Sequence, residues 1–193
     1  MAGLHLVTAP DAEPVDLAEA KAYLVVDFND DDVLIDALIQ SARSHCEAFL
    51  KMSLMSTVWD YRIDLGFPRE IRLPIGPLSD VAAAAVAITY TDLAGVTQTL
   101  DSVAFQVSGG DTPVIRPAYG ATWPATLPVL DAVRVRFTAG HATADDIPRA
   151  VRVAVLMTLG DLYEQRQSAV VGGSASSVPL AARNLMMPFV RFS

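Results

Sequence analysis

A change of period organises this chain. From Asp16 to Leu50 the apolar residues recur every three or four positions, from Thr57 to Leu65 they alternate, and after Pro148 the helical spacing returns. Helices at both ends with strands between them predict an α+β fold. An N-terminal helix pair and a C-terminal helix pack together, and an antiparallel β-sheet domain is inserted between them.

The first helix is expected from the N-cap Asp16 to about Val25. Glu19 stands three residues after Asp16, the spacing of a capping box. An acidic turn, Asp27 to Asp32, leads into the second helix. Its apolar residues fall at Leu34, Leu38 and Ala42 and at Ile35, Ile39, Cys46 and Phe49, which predicts a broad buried face. Asp27, Asn29 and Asp31 match the first, third and fifth positions of a calcium loop. Asp32 stands where that loop needs Gly and Leu38 where it needs Glu, so helix capping explains the acids better than a metal does. Pro148 sits in the first turn of the third helix, with Asp145 or Asp146 as its cap. Val151, Val155, Leu159 and Leu162 form its inner stripe.

In Thr57 to Leu65 the odd positions are Thr, Trp, Tyr, Ile and Leu, the mark of a half-buried strand. Glu70–Leu73, a hairpin through Tyr90 and Val96–Leu100, Phe105–Val107, Val114–Arg116 and Ala132–Thr138 complete a small antiparallel sheet domain of about six strands. The expected organisation is an extended arm over 1–14, a helical domain from 15–55 and 141–167, the inserted β domain over 56–140, and a flexible tether with a docking tail over 168–193. In the arm, Leu4, Leu6 and Val7 have the means to pair as a short strand. The tail follows a Gly/Ser-rich stretch yet is apolar and basic, as a segment ordered by a partner would be. Folding back on its own domain is the alternative.

Enzymatic chemistry finds no foothold. His5, His45 and His141 lie apart, and no phosphate-binding or nucleophile motif occurs. Trp59, Tyr61 and Trp123 are accounted for by packing more simply than by a ligand-stacking surface. No cofactor and no metal are expected. Cys46 is the one cysteine, so no intrachain disulfide forms, and its place on an apolar helix face predicts burial. The N-terminus lacks the features of a signal peptide and no apolar run spans a bilayer, so synthesis in the cytoplasm and no membrane partner are expected. A net charge of −8 argues against broad nucleic-acid binding.

Seven segments, taken together, carry a resemblance. They are V-D-L-A-E-A-K-A-Y-L (Val15–Leu24), D-D-D-V-L-I-D-A-L-I-Q-S-A-R (Asp30–Arg43), S-T-V-W-D-Y-R-I-D-L (Ser56–Leu65), I-R-L-P-I-G-P-L-S-D-V (Ile71–Val81), F-T-A-G-H (Phe137–His141), I-P-R-A-V (Ile147–Val151) and D-L-Y-E-Q-R (Asp161–Arg166). In this order and spacing the chain resembles the head–tail connector (adaptor) proteins of long-tailed phages and gene transfer agents. The resemblance spans residues 14–166.

It implies a structural protein rather than an enzyme. Such a protein forms a homo-oligomeric ring, usually of twelve subunits, under the portal at the head–tail junction of the virion. It implies a tail-side stopper or terminator as a second partner, and DNA passing through the lumen without specific binding. In such adaptors the C-terminal segment reaches the portal; the docking residues expected here come from the composition of the tail itself, Leu180, Arg183, Leu185, Met186, Met187, Phe189, Arg191 and Phe192. Contacts between neighbours in the ring are expected from Asp30, Asp31 and Asp32 against Arg134, Arg136, Arg149 and Arg152. Two other readings stay open: another tail-completion or tail-tube protein of the same particle, and a small hydrolase or ligand-binding protein with a helix–sheet cleft.

Overall fold

The computed structural model describes residues 3–110, 112–165 and 178–191. The chain divides into two compact units, one formed by residues 1–10 and 56–140, the other by 11–55 and 141–192. The fold is α+β.

The helical unit contains α1 (Leu17–Leu24), α2 (Asp32–Leu50), α3 (Arg149–Glu164) and α4 (Leu180–Met186). Asp16 caps α1 by accepting the Glu19 N–H at 2.7 Å. The reciprocal half of the expected capping box is not shown, because the Glu19 carboxylate instead takes Arg152 of α3 at 2.7 Å. The buried face of α2 is one line, Ile35, Ile39, Ala42, Cys46 and Leu50. Leu34 is exposed and so falls outside the expected broad face, while Leu38 and Phe49 flank the line half-buried. Steps of four and three residues keep a side chain on one face, and Leu34 lies about 100° around the helix from Ile35. This line packs on Val151, Ala154, Val155 and Leu159 of α3. The cap of α3 also differs from expectation. Thr143 and Asp146 form a capping box on a short 3-10 turn, Ala144–Asp146, and Pro148 rather than an aspartate stands at the N-cap of α3.

The C-terminal segment contributes to this core. Ala182 and Met186, four apart on α4, are both fully buried with Leu50, Leu54 and Val155. The Arg191 N–H donates to the Leu50 carbonyl at 3.2 Å. Residues 178–191 therefore fold back on their own unit, the alternative weighed against a segment ordered only by a partner. The expected tether over 168–177, and Phe192, lie outside the described residues.

Among the described residues the sheet unit holds eight antiparallel strands, two more than the six or so expected, arranged in two sheets. β1 (Gly3–Thr8), β2 (Thr57–Ile63), β8 (Val133–Ala139), β4 (Ala87–Thr91) and β5 (Thr97–Leu100) form one, in that order. β3 (Ile71–Arg72), β7 (Val114–Pro117) and β6 (Phe105–Ser108) form the other. The expected arm over 1–14 is divided between the units. Its first part is the edge strand β1, while Glu13 bonds Arg43 in the helical unit. Ile71, Ile88, Phe105, Ile115, Val133, Val135 and Phe137 build the core of the sheet unit, each such burial contributing about 1.5–3 kcal/mol. β2 stops at Ile63, short of Leu65, because the chain turns at Gly66. The Gly66 φ is +119°, and a Cβ there would collide with Thr126 Oγ1. Trp123 stacks on Phe67 at 4.7 Å and 9°, and Phe67 meets Tyr90 at 5.6 Å.

Candidate functional site

The register of β2 against β8 sets Asp60 opposite Arg136 and Arg62 opposite Arg134. Asp60 sits at an even position of β2, where the alternation predicted an open polar face, yet it is only 3% exposed. Arg136 holds it with a two-pronged pair, Nε to Oδ1 at 2.7 Å and the second nitrogen to Oδ2 at 2.9 Å, and Arg134 stands 3.9 Å away. The Arg136 hydrogen bond, more than any other influence, holds the Asp60 carboxyl below the usual carboxylate range. Arg62 pairs with Asp131 at 3.1 Å. Arg134 and Arg136, expected to seek a neighbouring subunit, therefore have their nearest carboxylate in their own chain.

The acidic turn is committed in the same way. Asp31 accepts from the Tyr163 hydroxyl of α3 at 2.6 Å, and Asp32 pairs with Lys21 of α1 at 2.6 Å. Lys21 also donates to Asn29 at 2.7 Å. These bonds tie the α1–α2 turn to both neighbouring helices. Asp30 is exposed and, among the described residues, in no ion pair. Arg152 is shared by Glu19 and Asp145, at 2.7 and 3.3 Å, whereas Arg149 is exposed and in no ion pair among the described residues. Among the described residues no group of three or more His, Cys, Asp or Glu side chains is placed to hold a metal ion.

Of the expected docking residues, Met186 and Arg191 are buried in their own unit. Leu180, Arg183, Leu185, Met187 and Phe189 are exposed, and the Arg183 guanidinium lies over the Phe49 ring at 5.2 Å from its centroid. The outward side of α4 and the turn after it thus offer apolar residues beside one cation. Among the described residues no helix is long and apolar enough to cross a membrane.

Two clusters escaped the sequence reading. The first is a half-buried triad in the helical unit. Arg43 donates to Glu13 and to Glu47, each at 2.8 Å, and Glu47 also accepts the Leu54 N–H at 2.8 Å. Burial pushes the Glu47 carboxyl up, against the pull of the Leu54 N–H and Arg43. Only the Arg43/Glu47 spacing of four was readable in advance. The second is a cleft of about 810 Å³ in the sheet unit, lined by Arg69, Glu70, Arg72, Arg116, Pro117 and Ala121. Pairing of β3 with β7 brings these residues together across more than forty positions. Glu70 accepts from Arg116 Nε at 2.9 Å and Arg72 Nε at 2.7 Å; Arg116 first, then Arg72, holds its carboxyl below the usual range.

The family of phage gp6-like head-tail connector proteins matches residues 14–107. No curated protein sequence matches the chain. A chain in the neck of an empty GTA particle, computed with C6 symmetry, superposes with a TM-score of 0.76 at 23% identity, over 99% of this chain and 96% of that one. A chain in the virion of a native gene transfer agent particle gives 0.75 at 21%, over 98% and 96%. A third, in the neck of a native GTA particle computed with C12 symmetry, gives 0.72 at 22%, over 99% and 96%. At these identities the likeness establishes the fold.

Proposed function

We propose that this chain, a member of the phage gp6-like head–tail connector family through residues 14–107, is a subunit of a ring at the head–tail junction of a phage or phage-like particle. The family match carries the reading, and it is a match to a connector, not to an enzyme. The shared fold supports it, since the matched chains come from gene transfer agent particles, two of them from necks solved with sixfold and twelvefold symmetry. In this reading the ring has twelve subunits and sits beneath the portal. A stopper or terminator joins it on the tail side, and DNA crosses its lumen without specific contact.

A ring of identical chains uses two different surfaces per subunit, one for each neighbour. The helical unit holds 14 Asp and Glu against 8 Lys and Arg, the sheet unit 8 against 6, so the negative charge is concentrated in the helical unit. Portal docking falls to the exposed side of the C-terminal segment: Leu180, Arg183, Leu185, Met187 and Phe189. An apolar strip flanked by a cation suits a protein partner.

Replacing the gene's product with a Met187→Ser/Phe189→Ser chain tests this. Both side chains are exposed, so the fold should persist while co-purification with the portal falls. Particles that assemble tails normally without the protein would refute the connector role. Unchanged portal capture by the double variant would refute the docking surface alone.

A further inference from the structure

We infer that the arginine cleft of the sheet unit, Arg69, Arg72 and Arg116, receives the acidic turn of a second copy of this chain, through Asp27 and Asp30. The inference rests on the ring reading and names the surfaces that close it. Internal pairing decides which charges are available. Arg134 and Arg136 are drawn to Asp60, Arg62 to Asp131, and Arg152 to Glu19 and Asp145. Among the described residues Arg72 and Arg116 pair only with Glu70, and their side chains remain 69% and 63% exposed, while Arg69 lines the same cleft and is in no ion pair. Two cations on one carboxylate and a third in the cleft lining leave a concave surface with an excess of positive charge on an acidic protein.

The acidic turn has the opposite balance. Asp31 and Asp32 are held by Tyr163 and Lys21, so Asp27 and Asp30 are its exposed carboxylates without an ion pair among the described residues. Apolar residues are interleaved with them: Val25, Phe28 and Val33 are all exposed. Beside the cleft, Tyr119 is wholly exposed and Pro117 and Ala121 line the wall. Arginine with tyrosine on one side, and carboxylates with apolar residues on the other, is the composition of a protein interface. A nucleic-acid backbone needs no apolar surface, and the Glu70 carboxylate within the cleft would oppose phosphate. Both surfaces are on one chain, as a head-to-tail ring requires.

The test is charge reversal with reciprocal rescue, in full-length chains supplied during particle assembly. Arg72→Glu/Arg116→Glu and, separately, Asp27→Lys/Asp30→Lys should each lower the yield of tailed particles roughly tenfold or more. A chain carrying all four changes should recover it, because every contact again joins opposite charges. A second measurement does not depend on the reversed variants folding. An Asp30→Cys/Arg116→Cys chain should give a ladder of disulfide-linked oligomers from oxidised particles, undisturbed by Cys46, which is fully buried. Single-cysteine chains should give no ladder. Absence of the ladder together with tailed particles at wild-type yield from both reversals would overturn the inference while leaving the ring standing. So would loss of duplex-DNA retention in the arginine variant with the ring intact. A wild-type chain absent from any ring would overturn the ring reading itself.

Discussion

The Met186→Ala substitution decides whether the C-terminal segment belongs to the helical core. Met186 is 0% exposed and packs in one cluster with Ala182, Leu50 and Val155. Truncation removes three heavy atoms from a site shut off from water, a transfer loss of about 2 kcal/mol at roughly 0.8 kcal/mol per methylene-sized group. The unfilled space adds a cavity penalty, because a packed core relaxes only in part. The sum is about 2–4 kcal/mol, within the range for buried Met-to-Ala changes. Leu180→Ala is the control. Leu180 is on the same helix but 74% exposed, and its loss should stay within about 0.5 kcal/mol. Trp59 and Trp123 both lie in the sheet unit, so tryptophan fluorescence follows that unit and helical circular dichroism follows the other. In urea, the circular-dichroism midpoint of Met186→Ala should fall by roughly 1–2 M, with fluorescence of the sheet unit reporting separately. Equal midpoints for Met186→Ala and Leu180→Ala would refute the argument, since a segment seated in the core cannot lose its most buried side chain without effect.

Two carboxylates should give the units opposite responses to acid. Asp60 is held below its ordinary range, so its contribution is complete above the ordinary carboxylate pKa of about 4 and is lost as pH falls through the lower folded value. Asp60→Asn should weaken the sheet unit by about 1.5–3 kcal/mol at neutral pH and flatten its acid slope. A variant with the wild-type slope in fluorescence-monitored unfolding would contradict this. Glu47 is pushed up, so the fold prefers its protonated form, and stability declines as pH rises from about 4.3 through the raised folded value. Glu47→Gln should remove that decline from the helical unit, and an unaltered pH profile by circular dichroism would count against it. Burial raises the Cys46 thiol to about 11, so in the native protein at neutral pH a thiol reagent should label it only as fast as the helical unit opens. Immediate labelling in native buffer would show that the thiol is not enclosed.

Periodicity is a local signal, and the parts of this fold that depend on it were legible. The Val133, Val135 and Phe137 side of β8 faces the core and the Arg134 and Arg136 side does not, as the alternation required. The line along α2 was readable apart from Leu34, because nineteen residues sample the helical period several times. The seven residues of α4 sample it barely twice. Ala182 and Met186 therefore left only a composition, apolar and basic, which describes a segment bound to a partner as well as one bound to its own chain. Asp60 misled in another way. Alternation tells which side of a strand a residue faces, but not that a bidentate arginine on the next strand will close that side from water.

The charges show why assembly surfaces are harder to read than cores. In sequence, Asp30, Asp31 and Asp32 are equivalent, and so are the arginines placed against them. Folding makes them unequal: a hydroxyl from α3 and an ammonium from α1 claim two of the three acids, and Asp60 claims the arginines of β8. An interface is drawn from what remains after such internal pairing, and that remainder is a property of strand register and helix packing. Arg116 joins Arg69 and Arg72 in one cluster only because Ile71 pairs with Ile115, which sets the Arg72 and Arg116 guanidiniums on a single carboxylate. A charged residue in a chain of this kind is thus evidence for a partner only once its own chain has been shown to leave it exposed and in excess of the opposite charge beside it.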